Sequence, residues 1–133
     1  MMTSDQELRL LRLAEDMGIR VEDDVGGHLA PGHLGGWLPR HKIILLRQGL
    51  GPRNRLHTLA HELGHAVHDD PPGHHPRHEA RAERWAANVL IDPHEYRELE
   101  MMYEGHLGAI AAEMGVTVSL LATWRADQEM RTA

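Results

Sequence analysis

Arg55-Leu56-His57-Thr58-Leu59-Ala60-His61-Glu62-Leu63-Gly64-His65-Ala66-Val67-His68 decides the fold, because it sets an H-E-x-x-H pentad inside a run with helical periodicity. Leu56, Leu59, Ala60, Leu63, Ala66 and Val67 recur at i, i+3, i+4 and i+7, the apolar stripe of a helix that faces a core. Gly51-Pro52 fits a helix start, since a proline at the first helical position lacks only an N–H that would have no partner there. If residues 53 to 68 are helical, His61 and His65 lie about 6 Å apart along the axis and roughly 40° apart in azimuth, so both imidazoles can reach one ion. Zinc takes nitrogen ligands at ~2.0–2.1 Å in a tetrahedral shell, and neutral imidazole supplies them. Glu62 then stands beside the ion without ligating it, where a carboxylate can take a proton from an attacking water. With 12 histidines in 133 residues the pentad alone is only moderate evidence. The apolar stripe and the residues downstream separate it from an exposed His-rich helix that picks up metal adventitiously.

A chain of 133 residues with 41% hydrophobic content suits one domain, residues 1 to 133, with a helical subregion from about 104 to the end. There is no Phe, so the core must be built from Leu, Ile, Val, Ala and Met. Cysteine is absent too, so a zinc site here must be of the His/carboxylate type and the fold owes nothing to disulfides. That, and an N-terminal Met-Met-Thr-Ser-Asp-Gln-Glu with neither a cationic nor an apolar signal segment, predicts a cytoplasmic protein without a membrane span. A net charge of -6 argues against non-specific phosphate binding as the main task.

Outward from the pentad, Ser4 and Glu7 form a capping box for a first helix over about 5 to 17, ended by Gly18. Residues 19 to 24 alternate as a short strand and lead into a Gly/His/Pro-rich loop. Gly35-Gly36-Trp37-Leu38 and His41-Lys42-Ile43-Ile44-Leu45-Leu46 read as a hairpin turning at Pro39-Arg40. After the pentad helix, prolines at 71, 72 and 76 impose a loop over about 69 to 78. A helix follows to about Leu90, another opens at Asp92-Pro93, a third is stopped by Gly115, and Thr117 caps the last. The predicted class is α+β and zincin-like: a small antiparallel sheet of about three strands packed on a helical bundle that carries the HExxH helix.

Two histidines leave zinc under-coordinated, since a catalytic site usually takes three protein ligands and keeps one position open. Candidates for the third are His68, Asp69, Asp70, His74, His75, His78, Glu79 and Glu83. His68 shares the face of His61 and His65, but one straight helix cannot easily wrap three ligands around a tetrahedral ion. A second helix crossing the first delivers a carboxylate from the opposite side, which favours Glu79 or Glu83. They lie one turn apart, so one can ligate while the other orients His61 or His65.

These residues resemble the ImmA/IrrE family of zinc-dependent metallo-endopeptidases. Its pattern is a hydrophobic strand, then T-L-A-H-E-L-G-H, then a helix of the form E-x-x-A-x-x-F-A-A-x-L-L-x-P. The counterparts are Ile43-Ile44-Leu45-Leu46, Thr58 to His65, and Glu79, Ala82, Trp85, Ala86, Ala87, Val89, Leu90 and Pro93. The likeness spans about residues 19 to 125. It implies a Zn2+ held by His61, His65 and Glu79, with Glu62 as general base; Glu83 stands where the pattern has Asn. It further implies cleavage of a protein substrate, a helix-turn-helix transcriptional repressor of a mobile element or damage response. A monomer or weak dimer is expected, and the charge balance predicts no direct nucleic-acid contact.

An exposed strand of the hairpin can hold an extended peptide by edge pairing, with proline within residues 41 to 46 as the test. Tyr96, Tyr103, His94 and His106 are candidate oxyanion donors. Two rival readings stand beside the peptidase. Residues 110 to 124 have the spacing of a helix-turn-helix, so a DNA-binding regulator is one. Against it, residues 104 to 133 carry Glu104, Glu113, Asp127 and Glu129 against only Arg125 and Arg131. The other is a zinc-stabilised interaction module without hydrolysis.

Overall fold

A computed structural model describes residues 3–132. The elements run α1 (Asp5–Asp16), β1 (Arg20–Asp23), β2 (Gly35–Leu38), β3 (Ile43–Leu46), α2 (Pro52–Val67), α3 (Pro76–Leu90), α4 (Pro93–Met102), α5 (Leu107–Met114) and α6 (Val118–Thr132). Their starts follow local chemistry. Ser4 Oγ accepts from the Glu7 N–H at 3.1 Å, and prolines open α2, α3 and α4. His75 caps α3 by accepting from the Arg77 N–H, so that helix begins at Pro76, earlier than the loop prolines suggested. Gly115 ends α5 in the left-handed conformation at φ 72, which costs a residue without Cβ nothing.

The three strands form one sheet in the order β1-β3-β2. The hairpin β2–β3 is antiparallel, pairing Gly35 with Leu46 and Leu38 with Ile43. The expected all-antiparallel sheet is corrected at β1, which pairs parallel to β3 with Arg20 opposite Ile43. Parallel neighbours need a long crossover, and residues 24 to 42, with β2 inside them, supply it. The same order makes β3 central. Ile44 and Leu46 are fully buried, as a strand flanked on both sides requires. The hairpin strand with a free edge is therefore β2, and a proline in 43 to 46 would break the sheet rather than probe a docking edge.

The sheet and the helices share a core that runs from Leu10 to Trp124. Leu56, Leu59, Ala60 and Leu63 of α2 lie at its centre, each at 3% exposure or less. α3 crosses α2 closely because position 64 has no side chain. A Cβ there would come to 2.8 Å from Ala82 O and 2.9 Å from Ala82 Cα. Thus Gly64 and Ala82 let the two backbones touch, which sets the register of α3 on α2. α6 packs along α3 and crosses α5 at 108°, the angle of a helix-turn-helix pair. Among the described residues no single helix is long and apolar enough to cross a membrane.

Candidate metal centre

One turn of α2 separates His61 from His65, and their rings meet edge to face with centroids 4.9 Å apart. The first turn of α3 places Glu79 against both: Oε2 lies 2.7 Å from His61 Nε2, and Oε1 lies 3.2 Å from His65 Nε2. One ligand atom from each of the three falls within 4.8 Å of the others. Two imidazole nitrogens and a carboxylate oxygen, with no thiolate in the chain, form a donor set that suits zinc and similar divalent ions.

Both imidazoles are held from behind by a second carboxylate. His61 Nδ1 lies 3.2 Å from Glu83 Oε1, and His65 Nδ1 lies 2.8 Å from Asp70 Oδ2. A carboxylate at Nδ1 keeps a proton there and leaves the Nε2 lone pair free to face an ion. Asp70 is itself anchored on several sides. Asp69 at φ 52 turns the chain back at the end of α2, and the Asp70 N–H donates to His65 O. Arg81 pairs with the other carboxylate oxygen, and Trp37 Nε1 donates to Asp70 O at 3.2 Å. Asp70 is 3% exposed, so this pairing offsets the cost of burying its charge.

The charges are mutually adjusted. Burial disfavours the His61 imidazolium, but the Glu83 hydrogen bond, the charges of Glu62 and Glu83, and the Glu79 hydrogen bond outweigh it and push its pKa up to about 9. Burial would raise Glu83, yet hydrogen bonds from His57 and His61 hold it down to about 2. Burial likewise opposes ionised Glu79, and hydrogen bonds from His61 and His74 bring its pKa below the usual range. Glu62 goes the other way: burial raises it, Glu79 adds to the rise, and the neighbouring imidazoles do not fully offset them.

Glu62 is 8% exposed and lies where two openings meet. One cavity of about 310 Å³ is lined by Leu34, Asn54, Thr58 and His61; the other, of about 260 Å³, by Trp37, Leu38, His65 and Glu79; Glu62, His33, Gly35 and His74 border both. Strand β2 runs across this face. A Cβ on Gly35 would come to 2.5 Å from Thr58 Cγ2 and 3.3 Å from Glu62 Cγ, so a glycine is what lets the edge strand approach α2 there. Arg47 N bonds Leu34 O, and bonding pairs alternate along an antiparallel ladder. Gly35 and Trp37 therefore turn their backbone groups to the free edge.

The remaining histidine candidates stand outside the ligand group. His68 Nδ1 bonds Gly64 O at 2.6 Å, turned back on its own helix. His75 and His78 stack on each other, and His74 is an exposed neighbour of Glu79, edge-on to His33. None of the four proposed oxyanion donors lines either cavity. Tyr96 donates to Glu100, Tyr103 donates to Glu113, His94 pairs with Glu98, and His106 caps α5. Their sequence positions, downstream of α3, lead away from the centre because α4 and α5 fold toward α6 instead. His57, which the H-E-x-x-H pattern does not mark, also joins the site: it lies four residues before His61, one turn along the same face, and its Nε2 is 2.8 Å from Glu83 Oε1.

Residues 14–123 match the family model Peptidase_M78, described as the IrrE N-terminal-like domain. Among solved structures, a Mycobacterium tuberculosis transcriptional regulator superposes on 92% of this chain with a TM-score of 0.69 at 18% identity. This chain spans 41% of that protein's length, and the likeness shows the fold. No curated protein sequence matches.

Proposed function

The chain belongs to the IrrE N-terminal-like peptidase family, Peptidase_M78, and from that membership we propose that it is a zinc-dependent metallo-endopeptidase. The observation that carries the reading is the convergence of His61, His65 and Glu79 beside a buried Glu62. Those three residues hold the ion. Bound there, zinc would polarise the scissile carbonyl and make an attacking water more acidic.

The rest of the chemistry falls to the chain's own groups. Glu62, with its pKa raised by burial, accepts a proton from the water and returns it to the leaving amine, as a general base then acid of suitable basicity does. Glu83 and Asp70 keep His61 and His65 in the tautomer that presents Nε2. The free edge of β2 offers the backbone groups of Gly35 and Trp37 to an extended peptide, laying its scissile bond over Glu62 between the two cavities. N-methylation of alternate substrate amides would then block cleavage in one register. Cleavage indifferent to methylation in either register would rule edge pairing out.

The substrate class is a helix-turn-helix transcriptional repressor of a mobile element or stress response. Support for it is the family resemblance, together with the occurrence of this fold in a protein described as a transcriptional regulator. The test is incubation of the zinc-loaded protein with purified helix-turn-helix repressors as candidate substrates, read by mass. Wild type should give two fragments, and Glu62→Gln should give none while retaining zinc.

The DNA-binding alternative draws on the 108° crossing of α5 and α6. One face of the start of α6 packs inward, where Thr117 bonds His57 and Leu120, Leu121 and Trp124 are buried; the outward face carries Val118, Ser119 and Ala122, with no basic residue to meet a phosphate. Retardation of duplex DNA that weakens steeply with salt would revive this reading.

A further inference from the structure

Behind His61 the hydrogen bonds do not stop at Glu83. His57 Nε2 reaches the same Glu83 oxygen at 2.8 Å, and His57 Nδ1 lies 2.7 Å from Thr117 Oγ1. Thr117 is the cap of α6, where its Oγ1 also accepts from the Leu120 N–H at 3.1 Å. The four side chains come from α2, α3 and the α5–α6 turn, so three separate parts of the fold meet behind one imidazole.

The direction of each bond follows from what each group can give. An ionised carboxylate only accepts, so Glu83 Oε1 takes the N–H of His57 Nε2 and the N–H of His61 Nδ1. A neutral His57 that donates from Nε2 has only a lone pair at Nδ1. The Thr117 hydroxyl must then donate to it, using its own lone pair for Leu120. Every atom in the series has one consistent role. In the metal-free chain His61 also donates from Nε2 to Glu79 at 2.7 Å; when an ion displaces that proton, the Nδ1 proton stays on Glu83 and the Nε2 lone pair is the one left to face the ion.

We propose that His57 and Thr117 are positioning residues of the metal centre, which fix Glu83 and through it the tautomer and orientation of His61, and so tie the α5–α6 turn to ion binding. The inference rests on the metal-centre reading of His61, His65 and Glu79. Neither residue touches the ion or a substrate. His57 stops Glu83 from rotating away from His61, and Thr117 stops the His57 ring from flipping. By reciprocity, an ion that orders His61 also orders the cap of α6.

Zinc affinity is measured by chelator competition on the full chain, with the fold of each metal-free variant monitored by circular dichroism. His57→Phe keeps a ring of similar volume but neither hydrogen bond, and should weaken zinc about tenfold, the low end for loss of a group supporting a ligand. Thr117→Val should weaken it by about threefold, as a more remote member of the same series, whereas Thr117→Ser, which keeps both donor and cap, should bind as wild type. A tautomer measurement on the unmodified protein stands free of any folding defect. Long-range ¹H–¹⁵N correlation should find His57 protonated at Nε2 and zinc-loaded His61 at Nδ1, and exchange of the Leu120 amide should slow when zinc is added. His57 protonated at Nδ1 alone, or folded His57→Phe and Thr117→Val that bind zinc like wild type, would overturn the proposal while leaving the metal centre intact. A wild-type chain that takes no stoichiometric zinc would remove the metal centre and this proposal together.

Discussion

Replacing Gly64 by alanine tests whether the crossing of α2 and α3 builds the centre. The added Cβ would lie 2.8 Å from Ala82 O and 2.9 Å from Ala82 Cα. Both contacts are backbone, so no side chain can swing aside. Ordinary contact at 3.4 Å requires about 0.6 Å of separation between the helices, beyond the ~0.5 Å within which a metal constellation works. Stability alone would respond little: the helix gains about 1 kcal/mol from alanine, and overpacking costs ~1–3 kcal/mol. A net loss of up to about 2 kcal/mol follows, read from urea midpoints at unchanged slope. Metal binding should respond more, because Glu79 rides on α3 while His61 and His65 ride on α2. Zinc affinity should fall by about tenfold or more. A Gly64→Ala protein that is folded and binds zinc as tightly as wild type would show that the close crossing does not set the ligand geometry.

Asp70→Ala removes the partner of His65 and of Arg81, and should cost about 2 kcal/mol of stability, seen in urea unfolding. It should also weaken zinc by 10-fold to about 100-fold, and wild-type affinity would dismiss Asp70 as an orienting group. In the metal-free chain His61 titrates near 9 rather than 6.5, so the stability it lends is complete below pH 6.5 and lost as pH rises through about 9. Glu83, at about 2 rather than 4.5, contributes fully above pH 4.5 and loses that contribution as pH falls through about 2. Thermal melts in chelator should therefore show a plateau between the two flanks, and melts that stay level up to pH 9 would refute the His61 shift. Because an ion must displace the His61 proton, zinc affinity should climb about tenfold per pH unit between about 7 and 9. A flat profile over that range would refute the displacement.

Much of this was legible in the residues themselves. The i, i+3, i+4 stripe of α2, the prolines at 52 and 93, Gly115 and the Thr117 cap act within one turn of chain, so the sequence states them directly. The H-E-x-x-H spacing likewise puts His61 and His65 on one face. The parallel pairing of β1 was not legible, because alternation marks a strand but not the direction of its neighbour. Spacing alone left Glu79 and Glu83 equivalent. What separates them is the Gly64–Ala82 contact, which fixes the register of α3 so that Glu79 meets both Nε2 atoms and Glu83 meets Nδ1 of His61. Asp70 took its place behind His65 because the chain reverses at Asp69, a backbone event that a loop of prolines and histidines does not announce. The oxyanion candidates failed for a related reason: sequence proximity to α3 says nothing about where α4 and α5 turn.

The most direct measurement is anomalous diffraction at the zinc edge from crystals of the zinc-loaded chain. A single ion per chain is expected at ~2.0–2.2 Å from His61 Nε2, His65 Nε2 and a Glu79 oxygen, with Glu62 nearby but not ligating. Zinc found only on His33, His74, His75 or His78, or with Glu83 in place of Glu79, would contradict it.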